Sequence, residues 1–289
     1  MQKFETKERQ IRGVYYTQPP VIRYIISGIN EILKDNFDTH EELVDENITL
    51  FDFEYMILPF TISYLKLTRM IEDYGFKFTK QDCPKIYLTN TLKETKDPSN
   101  LFNLKGIEKH IREIMNVKTT KKILVITGNP PYLKSNKTTD HIKKNIQIEK
   151  YYPFSEEQSK QILCNAYIKF VHFVYKRIEK SGLDKVIIGI ITLTSYLEET
   201  THRRMKNELL KIFSEIYILD LHGARGVNDN VFGNKKSSHI GEPSCITFFV
   251  KNKKKKDKIA KVFYKSTLNW KLIDKYRFLG NNSIKTSDF

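Results

Sequence analysis

Cysteine, tryptophan and glycine are all scarce in this chain of 289 residues, with three, one and twelve copies. Cys83, Cys164 and Cys245 are odd in number and far apart, which argues against a disulfide framework and against a CxxC zinc site. The seven histidines contain no HExxH pattern and no pair at i, i+4, so no metal site is expected. No apolar run approaches the roughly 18 residues that a membrane span needs, and Met1-Gln2-Lys3-Phe4-Glu5 lacks the apolar region of a signal peptide. A cytoplasmic protein without a membrane partner is expected. Acidic residues are also in deficit. Against 49 Lys and Arg stand 34 Asp and Glu, a net charge of +15 that suits a polyanion such as nucleic acid. The same Lys-, Ile- and Asn-rich composition arises from an AT-rich genome, so charge by itself does not decide the partner.

Neither an internal repeat nor a Pro/Ser-rich linker is found, and the length is ample for a buried core. Apolar spacing predicts helices over 20–34, 55–73, 159–180 and about 200–213. Strands are predicted at Ile48–Phe53, Lys85–Leu88, Ile123–Thr127, Val186–Thr192 and Glu215–Leu221. Several of these are near-continuous β-branched runs, expected where helices cover both faces of a strand, and they predict an α/β fold with a mainly parallel sheet. Ser244–Val250 and Ala260–Tyr264 read as a C-terminal antiparallel hairpin joined by the Lys-rich turn 251–258. That turn suits either phosphate tracking or protection of a sheet edge. From Trp270 onward the sequence turns polar and irregular.

The chemistry sits after the Ile123–Ile126 run, where Asn129-Pro130-Pro131-Tyr132 occupies the carboxyl end of a buried strand, the place at which open α/β sheets bind ligands. Two prolines fix φ, remove two donors and force an extended turn, so the Asn129 side-chain amide and the Pro130 carbonyl can converge on one point. Two acceptors aimed at one spot suit an exocyclic amino group, with Tyr132 offering an aromatic face. The N6 of adenine is not open to in-line attack inside a duplex, so its base must be flipped into such a pocket. A plain reading stands beside this one: a Pro-Pro turn capping a strand, with Tyr132 as packing.

Gly128-Asn129-Pro130-Pro131-Tyr132 resembles the catalytic motif of amino-methylating DNA methyltransferases, and its surroundings are similar to fused restriction-modification enzymes of the type IIG and type ISP kind. Further segments carry that resemblance in the same order: Gly13-Val14-Tyr15-Tyr16-Thr17, Ile86 to Leu92, Ile191 to Leu197, and Ile216 to Gly223. Together they cover roughly 13–265. The resemblance implies a Rossmann-like S-adenosylmethionine-dependent methyltransferase domain over 1–265 that methylates adenine at N6 in double-stranded DNA. It also implies that Tyr16 and Thr17 lie beside S-adenosyl-L-methionine, that Asn129 and Pro130 grip the target amine in a catalytic motif that includes Pro131, and that Tyr132 stacks on the base. Asp52 and Glu54 fall where the family's cofactor-binding strand places its acids, with Glu54 suited to the ribose hydroxyls. Taken singly, Tyr15, Tyr16 and Tyr196 also suit core packing, and Glu54 suits the start of a helix.

The sequence departs from that pattern at one place above all. The Asp-Pro-Ala-x-Gly-x-Gly loop that lets backbone approach the cofactor is missing, as if an internal deletion near 53–54 had joined its strand to the Phe-Glu region downstream. Residues 266–289 are expected to begin a target-recognition domain, and with twelve residues before Gly13 an amino-terminal nuclease is not expected within this sequence. A separate specificity or nuclease subunit is the corresponding partner expectation. The alternative function is a catalytically inactive fragment that binds DNA or such a subunit. Asp82 with Glu94-Thr95-Lys96 imitates a nuclease pattern that chance explains in a chain this rich in Lys and Glu.

Overall fold

Val186-Ile187-Ile188-Gly189-Ile190-Ile191-Thr192-Leu193 is buried at every position, and its alternation explains the fold around it. In a computed structural model of the chain, one set of these side chains (Val186, Ile188, Ile190) joins Tyr167, Ile168, Val171, Val174, Ile178, Met205, Leu209 and Phe213 in a single core. The alternate set lies towards another helix, where Ile25 and Ile29 approach Gly189 closely. The structure describes residues 17–37, 51–54, 57–73, 85–92, 105–130, 166–199, 202–223, 229–232, 243–252 and 259–289.

The chain divides into two compact units, Met1–Glu42 with Ile123–Phe289, and Leu43–Lys122. In the first, helix α1 (Pro19–Phe37) is followed after the second unit by β3 (Val125–Gly128), α4 (Ala166–Ser181), β4 (Val186–Leu193), α5 (Ser195–Glu198), α6 (Arg203–Ile212), β5 (Glu215–His222), β6 (Ser244–Lys251), β7 (Lys261–Ser266) and α7 (Leu272–Asn281). In the second, β1 (Phe51–Glu54) and β2 (Lys85–Leu88) pair in parallel and α2 (Ile57–Asp73) packs on both, with α3 (Lys105–Thr119) closing the unit's sequence.

The five-stranded sheet has the order β3-β4-β6-β5-β7. It is mixed, which corrects the expectation of a mainly parallel sheet. The pairs β3–β4 and β5–β7 are parallel, whereas β6 runs antiparallel to both β4 and β5. The expected hairpin of 244–250 with 260–264 is not formed either, because β5 lies between them. Burial gives the reason. Ser244–Val250 is buried throughout and so takes a central position, whereas β7, with Val262 and Tyr264 half exposed, takes the edge.

Helix α1 lies close on the sheet because two glycines admit it: a Cβ on Gly28 would meet the Phe248 ring at 2.7 Å, and one on Gly189 would meet Ile25 and Ile29 at 3.1 Å. The tail, expected to be irregular, contains α7 and a 3₁₀ turn, Lys285–Ser287. Helix α7 packs on α1. Beyond it, Tyr24 and Ser287 share a hydrogen bond of 2.8 Å, Glu31 accepts from the Ser283 hydroxyl and the Lys285 backbone N–H, and Lys285 pairs with Asp35 at 2.7 Å. No helix among the described residues is long and apolar enough to cross a membrane.

Candidate active site at the carboxyl edge of the sheet

Strands β3, β4, β5 and β7 share one direction, so their carboxyl ends line one edge of the sheet. β3 delivers Gly128, Asn129 and Pro130 to that edge. Asn129 is half-buried and Pro130 buried, while a Cβ on Gly128 would meet nothing within 4 Å among the described residues. The Asn129 amide donates from Nδ2 to Thr17 Oγ1 at 3.1 Å, across 112 residues of sequence. Thr17 stands two residues ahead of α1, whose first residue, Pro19, fixes the chain's entry into the helix. The close seat of α1 on Gly189 thus sets the position of Thr17 relative to the strand end.

At the end of β4 the polar groups are tied inward. Tyr167 and Ser195 share a hydrogen bond of 2.7 Å, with His202 Nε2 3.5 Å from the same phenol. Burial, reinforced by Lys206, pushes the His202 imidazole down to about 4, so it is neutral at ordinary pH. Tyr196 is buried with its hydroxyl 2.9 Å from Thr247 Oγ1, and burial pushes the neighbouring Cys245 thiol up to about 11, which makes it inert.

At the end of β5, Asp220 accepts from the His222 backbone N–H and from the Tyr264 hydroxyl, both at 2.9 Å, and His222 Nε2 lies 2.7 Å from Ser266 Oγ. His222 and Gly223 both adopt positive φ, +52° and +98°, so the chain turns back sharply there. A Cβ on Gly223 would lie 2.9 Å from the Asn230 backbone, which leaves room only for glycine.

In the second unit, Asp52 and Glu54 are half-buried and, two residues apart on β1, share a face. Burial, and then the charge of Glu54, raises the Asp52 carboxyl above its ordinary value. Beside them the Glu54 carbonyl accepts from Thr89 N at 2.8 Å, and buried Lys118 donates to Thr89 Oγ1 at 3.0 Å and to the Asn90 carbonyl at 2.7 Å. Two carboxylates on one strand face suit the hydroxyls of a ribose. Close approaches at Gly28, Gly189 and Gly223 are filled by the chain's own atoms, and no glycine-rich cradle is found among the described residues.

Of the residues expected in the site, Thr17 and Asn129 are therefore in contact, Pro130 follows directly, and Asp52 and Glu54 sit together in the other unit. Tyr16, Pro131 and Tyr132 lie outside the described residues. Sequence reasoning did not single out Lys118 or Lys275. Their signal was available only as a lysine falling on the apolar stripe of a helix.

No protein-family model and no curated protein sequence matches the chain. Among solved structures it is similar to the DrdV–DNA complex, with a TM-score of 0.73 and 18% identity over 98% of this chain and 31% of that one. It is also similar to the ATP-dependent Type ISP restriction-modification enzyme LlaBIII bound to DNA (TM-score 0.72, 18% identity, 94% of this chain and 21% of that one). The fold resembles part of a restriction-modification enzyme. A nuclease-deletion mutant of the Type ISP enzyme LlaGI in complex with a DNA substrate mimic gives a TM-score of 0.75 at 18% identity, covering 94% of this chain and 26% of that one. The chain thus spans between about a fifth and a third of the length of these proteins. At such identity the likeness concerns the fold.

Proposed function

We propose that this chain is the methyltransferase region of a restriction-modification system, of the Rossmann-like S-adenosylmethionine-dependent kind, acting on the N6 amine of an adenine flipped out of double-stranded DNA. The observation that carries the reading is the hydrogen bond between Thr17 and Asn129, which joins the segment expected beside the cofactor to the segment expected to grip the amine.

With Nδ2 given to Thr17, the Asn129 amide is held at the strand end, and its carbonyl oxygen is the acceptor proposed for a substrate amine. The Pro130 carbonyl is the second acceptor, and Tyr132 covers the base. Holding the amine by its two hydrogens turns its lone pair towards the incoming methyl group and lowers the entropic cost of alignment. When bound, S-adenosyl-L-methionine supplies that methyl group. Asp52 and Glu54 are the residues proposed to accept from its ribose hydroxyls, and Tyr16 and Thr17 those that the resemblance implies beside it. The net charge of +15 favours the DNA partner. In this reading residues 1–265 are the methyltransferase region, and 266–289 lead towards target recognition.

A second reading is favoured by one observation, the absence of the Asp-Pro-Ala-x-Gly-x-Gly loop from the sequence. On that reading the chain binds DNA or a specificity or nuclease subunit without transferring methyl groups by itself. Isothermal titration with S-adenosyl-L-methionine separates the two. The first predicts a saturable heat. No detectable heat at high micromolar cofactor supports the second.

A further inference from the structure

Lys275 of α7 has no exposed surface, an unusual state for a lysine. All three of its ammonium donors are used, to the Leu221 carbonyl at 2.6 Å, the Asp229 carbonyl at 3.0 Å and Asp229 Oδ2 at 2.8 Å. These acceptors stand on either side of the loop that leaves the carboxyl end of β5. Neighbouring groups close the same neck: Asn230 donates to the Gly223 carbonyl at 3.0 Å and accepts from Phe232 N at 2.9 Å, and Tyr276 donates to the Val231 carbonyl at 2.9 Å.

Stability alone is a poor explanation for this arrangement. A buried ion pair seldom outperforms an apolar side chain of the same volume, and the second oxygen of Asp229, Oδ1, is buried with no hydrogen-bond partner, a cost that a purely stabilising pair would avoid. What Lys275 does fix is geometry. It ties the end of β5 and the returning chain at Asp229 to one point on α7, itself docked on α1, the helix that Thr17 precedes. The neck stands on the same sheet edge as Asn129, three strand spacings away, or about 14 Å.

We propose that Lys275 is a positioning residue for the target nucleotide: it holds the neck formed by Leu221–Gly223 and Asp229–Phe232 as a fixed wall on the sheet edge that carries Asn129, about 14 Å along from it. This rests on the methyltransferase reading for its substrate, but the latch itself is tested independently. The full chain is compared with Lys275→Met, Asp229→Asn and, as a control, the exposed Arg277→Met on the same helix, by hydrogen exchange, cofactor titration and steady-state methyl transfer to DNA. Lys275→Met is expected to raise exchange at 221–223 and 229–232 while leaving α1 unchanged, to keep the cofactor affinity within about twofold, and to lower kcat about tenfold. Arg277→Met should match the wild type. Unchanged exchange at the neck, or increases spread equally over α1 and α7, overturns the latch; unchanged kcat and DNA affinity overturn the positioning role. Should Lys275→Met fail to fold, Asp229→Asn decides, with a smaller change in the same direction expected and no change overturning the proposal. A wild type that binds no cofactor removes the methyltransferase reading, and DNA affinity, expected to fall about tenfold in Lys275→Met, then replaces kcat.

Discussion

Thr17 has a hydroxyl, and Asn129 uses it to fix the orientation of its amide. Thr17→Val keeps the shape and removes the acceptor, so the amide loses this contact and its orientation is less firmly held. A fall in kcat of about tenfold is expected, the worth of one oriented hydrogen bond, with little change in DNA affinity. An unchanged kcat would show that the bond does not orient the amide. His202 tests the buried polar groups behind β4. Its folded value, about 4, lies below the ordinary 6.5, so the unfolded chain takes up a proton that the folded one refuses. The stability this contributes is complete above about pH 6.5 and is lost as the pH falls towards 4. His172, lowered to about 4 chiefly by burial, acts in the same direction. Urea midpoints measured from pH 7 to 4.5 should fall less steeply in His202→Gln than in the wild type, and equal slopes would contradict the assignment. At this scale the place of Asn129 at a strand end was legible from the apolar run before it, but the burial expected of that strand is not observed: Val125 and Ile126 are half-buried and Thr127 and Gly128 exposed. Lys275 and His202 were not legible, since nothing in a single sequence distinguishes a lysine or histidine destined for the core from one on the surface.

Strands covered on both faces must be apolar throughout, which is why β4 and β5 could be placed from their runs alone. The same property concealed their pairing. A fully apolar run such as Ser244–Val250 says that it is central without saying in which direction it runs or which strand lies beside it, and β5 enters between β6 and β7 only in three dimensions. Helix α3 went unrecognised although Ile111, Ile114, Met115 and Lys118 recur at i, i+3, i+4 and i+7, because lysine in the last position breaks the apolar stripe. Helix α7 was hidden by its charges, with Lys275 occupying a core position between Leu272 and Leu279. The close approach of α1 to the sheet is the element-scale feature on which the site depends. Gly28→Ala would push a methyl group to 2.7 Å from the ring of Phe248, which is itself fully buried. A loss of roughly 2 kcal/mol, read from chemical unfolding, is expected, together with weaker methyl transfer as Thr17 moves off Asn129. Full stability and activity in Gly28→Ala would show that the helix seat does not set the site.

On the scale of the molecule, the residues expected to act fall in both units, each described by itself. The first carries Thr17, Asn129 and Pro130 on the sheet edge, and the second carries the Asp52 and Glu54 carboxylates. The likeness to the LlaBIII and LlaGI structures extends over 94% of the chain in each, so both units share in the fold similarity even though the glycine-rich loop is missing from the sequence. Function then turns on whether the amine grip works in this chain. The most direct measurement is transfer of radiolabelled methyl groups from S-adenosyl-L-methionine to adenine-containing double-stranded DNA by the wild type and by Asn129→Ala, with cofactor affinity measured in parallel. We predict label recovered as N6-methyladenine, and a loss of about 100-fold or more in Asn129→Ala with cofactor affinity nearly intact. Equal transfer by the two proteins, or no transfer by a wild type that binds the cofactor, would contradict the proposed role of Asn129 and with it the methyltransferase reading.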